Sequence, residues 1–240
     1  MIGLPKDWKV VTFFVESIFL KKESRMKKEL YRTSLILALI VMFVSVSPVA
    51  MAGTVGNPTA TVAKGSFLVG AEIDFWDRDF ENGGTFDAEG TKILVKGTYG
   101  ISDKIDVFGK IGLAEVEDSG FDPAFGFGGK LNVYERGKIK AGVVAQFLFW
   151  SGEDSGVDID ITEFDLAVGA SYDVTKEFDC YGGLMLALVQ GDFDGNDFNE
   201  DDPIGIFLGG EFDITPAIKA GVELRLISES SVTVMANFAF

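Results

Sequence analysis

From about residue 65 to the last residue, apolar and polar side chains alternate along the chain with a period of two. A period of two is the pattern of a β-strand whose two faces meet different surroundings, whereas an amphipathic helix repeats every 3.6 residues. The pattern predicts an all-β chain with ten strands, near residues 66–76, 91–100, 104–115, 123–134, 138–150, 161–173, 177–190, 203–213, 217–228 and 231–240.

The lengths of these strands and of their connections indicate how the strands are arranged. Strands in soluble proteins have about five or six residues, whereas a tilted strand that crosses a bilayer needs about nine to eleven. Short turns at 101–104, 135–138, 174–177 and 214–217 alternate with longer loops at 77–90, 116–122, 151–160 and 191–202, which is typical of transmembrane barrels. We predict a single antiparallel up-and-down transmembrane β-barrel over residues 65–240, with ten strands, or with eight if weak hairpins are loops.

The two faces of the predicted strands differ in chemistry. One face is almost purely aliphatic, as at Ile105, Val107 and Ile111, and the opposite face carries both acids and bases. In a soluble barrel the charges would face water, but in a lipid-embedded barrel they would line the lumen. Glycines on the charged face favour the lumen, because long side chains from opposite walls must share it. The predicted lumen charge network consists of Glu72, Lys96, Lys110, Lys130, Lys140, Glu163, Asp165, Glu211, Lys219, Glu223 and Arg225.

Aromatic residues lie near both ends of the predicted strands. They predict two girdles at the membrane interfaces, where aromatic side chains are enriched. The members are Tyr99, Tyr134, Tyr172, Phe178, Phe212 and Phe240 near the short turns, and Phe75, Trp76, Phe147, Phe149 and Trp150 near the long loops.

Residues 26–52 have the pattern of a cleavable signal peptide. A basic start is followed by an apolar run from Leu35 to Val44 and by the small-residue exit Ala50-Met51-Ala52. A membrane anchor is the alternative, but a spanning helix needs about twenty apolar residues and Pro48 interrupts this stretch. We predict cleavage after Ala52, an upstream extension at residues 1–25 that results from a mis-assigned start, and a periplasmic N-terminal segment at residues 53–64.

The composition excludes several classes of function. There are 37 acidic and 21 basic residues, and such an acid excess disfavours binding to nucleic-acid phosphates. The single cysteine excludes an internal disulfide, and the chain has no histidine, the commonest general base and zinc ligand. We expect no enzyme activity, with a purely carboxylate mechanism as the remote alternative.

The acid excess concentrates in the predicted long loops, above all in the stretch DFDGNDFNEDDP. Oxygen ligands of this density suit Ca²⁺, but the stretch departs from an EF-hand loop, with Asp197 at the sixth position, Pro203 at the twelfth and no flanking helices. We interpret these stretches as solvated surface loops, with calcium binding as the alternative, and we expect no cofactor. The candidate ligands are Asp192, Asp194, Asn196, Asp197, Glu200, Asp201 and Asp202.

The final strand ends in VTVMANFAF, with Phe238 and Phe240 on one face. With the export signal and the predicted strands, this ending resembles the small bacterial outer-membrane β-barrels of the OmpA-like and opacity-like kind, over residues 53–240. The resemblance implies a place in the bacterial outer membrane, contact with outer-membrane lipid, and recognition of Phe238 and Phe240 by the barrel-assembly machinery.

Two functions agree with these features. The first is a monomeric structural or surface-display barrel whose lumen is largely plugged by paired charges and whose external loops are acidic. The alternative is a narrow passive pore with a preference for cations. Ten strands enclose little more than side chains, which favours the closed form.

Overall fold

The computed structural model describes residues 54–81, 85–116, 120–154, 157–193, 196–200, 202–226 and 229–240. The predicted signal peptide and upstream extension lie outside these residues. Within them, no helix is long and apolar enough to cross a membrane. The strands are β1 (Phe67–Glu81), β2 (Thr85–Ser102), β3 (Ile105–Val116), β4 (Asp122–Arg136), β5 (Ile139–Asp154), β6 (Val157–Asp173), β7 (Phe178–Phe193), β8 (Asn196–Glu200), β9 (Ile204–Thr215), β10 (Ile218–Leu226) and β11 (Ser230–Ala239).

Ten of these strands form a closed antiparallel barrel. Each pairs with its neighbours in chain order, except that β7 pairs with β9 across the insertion of β8. The ring closes between β1 and β11, from Leu68 opposite Ala239 to Asp77 opposite Ser230. Closure pairs the edges that an open sheet would expose. The prediction of a ten-stranded up-and-down barrel is confirmed, and the eight-stranded alternative is wrong.

The extra strand β8 lies within the predicted loop at 191–202. It pairs with the end of β7, where Gln190 is opposite Asn199, and with the end of β1, where Phe80 is opposite Glu200. The pairing of β9 with β7 stops at Leu186, and that of β11 with β1 stops at Asp77. Strand β8 therefore joins β7 to β1 beyond the ends of β9, β10 and β11 and narrows the long-loop end.

The short turns lie close to their predicted positions, but several predicted loops are strand extensions. The β1–β2 ladder continues to Glu81 opposite Thr85, and the β5–β6 ladder continues to Asp154 opposite Val157. Continued pairing satisfies backbone groups that a loop would leave to water. These extensions lengthen the wall at one end only.

The wall has an apolar outer face and a charged inner face, as the alternation predicts. Along β1, Ile73 is 43% exposed and Phe75 is 46% exposed, whereas Glu72 and Asp74, which alternate with them, are at most 1% exposed. The same alternation of exposed apolar and buried charged side chains recurs around the ring, because successive strand residues point to opposite faces.

The segment before β1 enters the barrel. Gly65 donates its backbone N–H to the Gly100 carbonyl at the short-turn end, and residues 54–59 are buried within the lumen. This position differs from the periplasmic segment that the sequence predicts for residues 53–64. The physical reason is that lumen side chains hydrogen-bond to its backbone.

Candidate functional site

The candidate site is the lumen, and its middle is a group of ion pairs. Glu72 of β1 accepts from Lys110 of β3 at 2.6 Å and from Lys96 of β2 at 3.3 Å. Lys92 of β2 reaches Glu163 of β6 at 2.9 Å. These inward-facing side chains are at least 92% buried. Breaking such a pair leaves an uncompensated buried charge and is strongly unfavourable.

A second charge group lies nearer the long-loop end, around two arginines. Arg78 contacts Glu163 at 3.2 Å, Glu200 at 3.0 Å and also Glu229. The Nη1 atom of Arg225 lies 2.7 Å from Glu229, and its Nη2 atom lies 3.8 Å from Asp165. A guanidinium has five donors in a fixed fork, which suits several carboxylates at once. The two arginines thereby connect β1, β6, β8, β10 and the residue before β11.

Glu200 differs from the other members because it lies on β8, beyond the strands that complete the wall. Burial raises the pKa of Glu200 to about 8, and this outweighs the opposing attraction of Arg78. The nearby carboxylates of Glu229 and Glu163 contribute to this rise.

The ion pairs at the short-turn mouth are more exposed than those in the middle of the lumen. Lys140 pairs with Asp173 at 3.3 Å, and Lys219 pairs with Asp179 at 3.3 Å and with Glu211 at 3.6 Å. Both lysine side chains are 28% exposed. Partly hydrated pairs of this kind contribute little to stability.

An apolar cluster fills the lumen at the long-loop end. Trp76, Leu94, Trp150 and Phe198 are all at most 5% exposed, and Phe80 packs edge-on against Phe198 with ring centres 4.9 Å apart. The Lys92 ammonium lies 4.2 Å from the centre of a Trp150 ring, which is a cation–π contact.

This cluster corrects one sequence prediction. Trp76 and Trp150 are lumen residues and do not belong to an interfacial girdle, because their positions in the alternation point inward. The predicted girdle members near the short turns do face outward, including Tyr99, Tyr134 and Tyr172. Phe75 and Phe147, nearer the long loops, also face outward.

The N-terminal segment, residues 54–59, occupies the lumen on the short-turn side of this apolar cluster. One carboxylate, that of Glu223, accepts the backbone N–H groups of Val55 and Gly56, each at 2.8 Å. Lys110 and Gln146 donate to the Thr54 carbonyl at 3.1 and 3.3 Å. The lumen is thus filled by side chains and by a stretch of the chain itself.

The structure places all eleven predicted network residues on the inner face, Lys140 and Lys219 at the mouth and the others deeper. The sequence prediction missed Arg78 and Glu229, which it assigned to loops, and Tyr181, which donates to Glu223 at 3.0 Å. Continuing the alternation of β1 past Trp76 would have found Arg78, whereas no sequence signal marks Glu229.

The predicted calcium ligands do not converge in the described part of the chain. Glu200 points into the lumen and pairs with Arg78, whereas Asp197 and Asp202 are exposed. Asp194 and Asp201 lie outside the described residues, as does the side chain of Asn196, and Asp192 is half-buried. Among the described residues, no group of three or more acidic, histidine or cysteine side chains is arranged to hold a metal ion.

The fold and the filled lumen define an antiparallel barrel with an apolar outside and a charged inside. No protein-family model matches the chain, and no curated protein matches it. An outer membrane channel from Pseudomonas putida F1 is similar in structure, with 12% identity and a TM-score of 0.44 over 79% of this chain and 100% of the channel.

Two further solved structures show the range of similar barrels. Neisserial surface protein A has 13% identity and a TM-score of 0.37, over 74% of this chain and 100% of that protein. The outer membrane protease OmpT from Escherichia coli has 10% identity and a TM-score of 0.42, over 76% and 99%. These similarities are too low to transfer an activity to this chain.

Proposed function

We propose that this chain is an integral barrel of the bacterial outer membrane that acts as a closed structural and surface-display protein. The observation that carries the proposal is the inverted distribution of side chains. Ile111 is 69% exposed on the outside, whereas Lys92, Glu223 and Arg225 are completely buried inside. Water outside the wall would favour the opposite arrangement.

A bilayer fits this wall. A tilted strand needs about nine to eleven residues to cross the hydrocarbon core, and the barrel strands have 9 to 18 residues. Closure gives each strand of the ring a hydrogen-bonded neighbour on both sides. A barrel in lipid requires this, because no water is present to pair with free backbone groups. The longer strands extend the wall beyond the bilayer at the long-loop end, where a surface protein would display its acidic loops.

The closed state of the proposed barrel is supported by three layers in the lumen. These are the N-terminal segment, the ion pairs around Glu72 and Arg225, and the apolar cluster under β8. Opening a path through them would separate buried ion pairs, which is strongly unfavourable. The chain has no histidine, so a hydrolase triad that depends on histidine cannot form, and we propose a non-enzymatic role.

Single-channel recording tests the closed barrel. Residues 53–240 are refolded into planar lipid bilayers after a heat-dependent shift in gel mobility has confirmed folding. We expect no conductance steps above those of protein-free bilayers. Reproducible steps from a folded sample would contradict the closed form.

One observation favours the alternative of a narrow pore. A cavity of about 170 Å³ opens at the short-turn mouth, between the N-terminal segment and the wall, and Lys130, Glu211 and Lys219 contribute to its lining. If steps are found, the acid excess predicts selectivity for cations that weakens as salt screens the charges. Reversal potentials in a salt gradient measure this selectivity.

The C-terminal strand supports a proposal about assembly. Val234 and Phe238 face outward on β11, and Phe240, just past the strand, is 87% exposed. We propose that the barrel-assembly machinery binds Phe238 and Phe240. Replacing both with alanine should reduce the amount of folded barrel in the outer membrane, while refolding of the same variant in detergent is retained.

A further inference from the structure

We propose that the half of the lumen nearer the short turns is a binding site for the processed N-terminus of this chain. A leader peptidase hydrolyses the peptide bond before residue 53, which consumes one water and leaves a carboxylate on the leader and an α-ammonium group on the mature chain. Residues 54–60 then bind inside the barrel. This inference goes beyond the proposed function, because it assigns a ligand to the lumen whether or not the barrel conducts.

The wall binds the backbone of the segment. Both oxygens of the Glu223 carboxylate are used, one by the N–H of Val55 and one by the N–H of Gly56. Lys130 donates to the Asn57 carbonyl at 2.8 Å, and the Asn57 amide donates to Glu211 at 3.1 Å. Charge-assisted hydrogen bonds of this kind are stronger than neutral ones.

The shape of the wall also fits the segment. A β-carbon at Gly142 would collide with the Pro58 carbonyl, and one at Gly169 would collide with the Gly182 carbonyl and the Phe207 ring and also approach the Pro58 ring at 3.1 Å. These glycines are cross-strand neighbours on β5 and β6. Their missing side chains leave the space that Pro58 fills.

The direction of the segment explains why processing must come first. The Val62 N–H donates to Asp106 near the start of β3, whereas Thr54 is held by Lys110, four residues further along the same strand. The segment therefore runs from the mouth inward, and Thr54 is completely buried. A chain that kept its first 52 residues would have to route them through a lumen that the charge groups and the apolar cluster already fill.

The charges of the lumen suit a new cation at this point. Among the described residues, eight acidic and five basic residues are buried, three more acids than bases. Gln146 donates to the Thr54 carbonyl and, at 2.7 Å, to Oδ2 of Asp165. The other oxygen of Asp165 is buried and has no hydrogen-bond partner among the residues that the structure describes. We expect an α-ammonium group that precedes Thr54 to pair with Asp165.

Thiol labelling tests whether processing controls entry. In a Cys180→Ser background, Val55→Cys reports on the segment and Thr175→Cys, in an exposed turn, is the matched control. Each variant is prepared in two forms, one that starts at Gly53 and one with a long polar extension before Gly53, and is reacted in detergent micelles with a charged maleimide.

We expect the thiol at position 55 to react at least about tenfold more slowly than the control in the processed form, because burial restricts access. In the extended form the two rates should become similar. Equal protection in both forms would overturn the role of processing, and equal reactivity in both forms would overturn the bound segment. Since micelles contain no outer membrane, failure of the proposed location would leave this result unchanged.

A second measurement tests the α-ammonium group itself. N-terminal acetylation of the processed chain removes the charge and keeps the backbone contacts, and Asp165→Asn removes the proposed partner. We expect each change alone to lower the thermal midpoint. Acetylation of the Asp165→Asn variant should lower it no further than Asp165→Asn alone does, because both changes remove the same interaction. Fully additive effects would overturn the pairing. Mass spectrometry of the exported protein should give a start at Gly53, and a start far upstream would contradict the inference.

Discussion

At the scale of single residues, position in the alternation decides whether a side chain meets lipid or the lumen. Trp76 and Phe75 are adjacent in sequence and both apolar, yet only Trp76 is buried. Burial then decides the energetic importance of each charge. Arg225 is completely buried among three carboxylates, whereas Lys140 at the mouth is 28% exposed.

Arg225→Leu should therefore be far more damaging than Lys140→Ala. Removing the guanidinium leaves Glu229, Glu223 and Asp165 as buried acids without this partner, which should cost about 3–5 kcal/mol in the free energy of unfolding. The Lys140 variant should lose at most about 1 kcal/mol. Reversible urea unfolding in lipid vesicles, followed by tryptophan fluorescence, measures both, and a loss under 1 kcal/mol for the arginine variant would contradict the network.

Gly142→Val tests the fit of the N-terminal segment against the wall. The added side chain meets Pro58, and overpacking of this kind should cost about 1–3 kcal/mol. Gly109→Val is the matched control on the outer face, where a β-carbon would approach nothing closer than a backbone oxygen at 3.9 Å. The same unfolding assay should show little or no loss for the control. Equal losses would argue against a specific contact with Pro58.

At the scale of elements, β8 is the feature that distinguishes this barrel from a simple ring of ten strands. It joins β7 to β1 with few backbone pairs, and Phe198 and Glu200 attach it to Phe80 and Arg78. A short strand with few ladder bonds depends on such side-chain contacts for its position.

The contact at Glu200 should make this end of the barrel sensitive to pH. The pKa of Glu200 in the folded state, about 8, lies above its ordinary value, so the folded state favours the neutral acid. The contribution of Glu200 to the free energy of unfolding is therefore fully present at low pH and is lost as the pH rises toward and through 8. Acrylamide quenching of Trp76 and Trp150 should increase between pH 6 and pH 9. Glu200→Gln should abolish the increase, and an unchanged increase in that variant would assign it to another group.

At the scale of the whole molecule, the outer band determines which solvent the barrel can occupy. Ile111 on β3, Val168 on β6 and Leu208 on β9 are 53 to 69% exposed, and these three strands are not neighbours in the ring. A continuous apolar surface of this extent in a protein marks contact with a membrane or a partner. This surface supports the membrane contact in the proposed function.

Ile111→Arg tests the contact with lipid. An arginine near the middle of the bilayer on the lipid face of a barrel costs about 2–4 kcal/mol, and one near the interface costs about 0–1 kcal/mol. Val174→Arg, in a short turn and 41% exposed, is the matched control and should have little effect. Unfolding in lipid vesicles should separate the two variants. Equal effects would indicate that Ile111 does not face the bilayer core.

The sequence by itself indicated an antiparallel ring that most favours ten strands, and the inner face for the eleven predicted network charges, because the alternation is local and each strand carries its own copy of it. Only the tertiary structure decided that β8 bridges β7 and β1, that Arg78 and Glu229 join the charge group, and that residues 54–59 occupy the lumen. Those contacts join residues far apart in the chain, and Val55 lies 168 residues from Glu223. A periodic pattern specifies which way a side chain points, but only closure of the ring specifies what it meets.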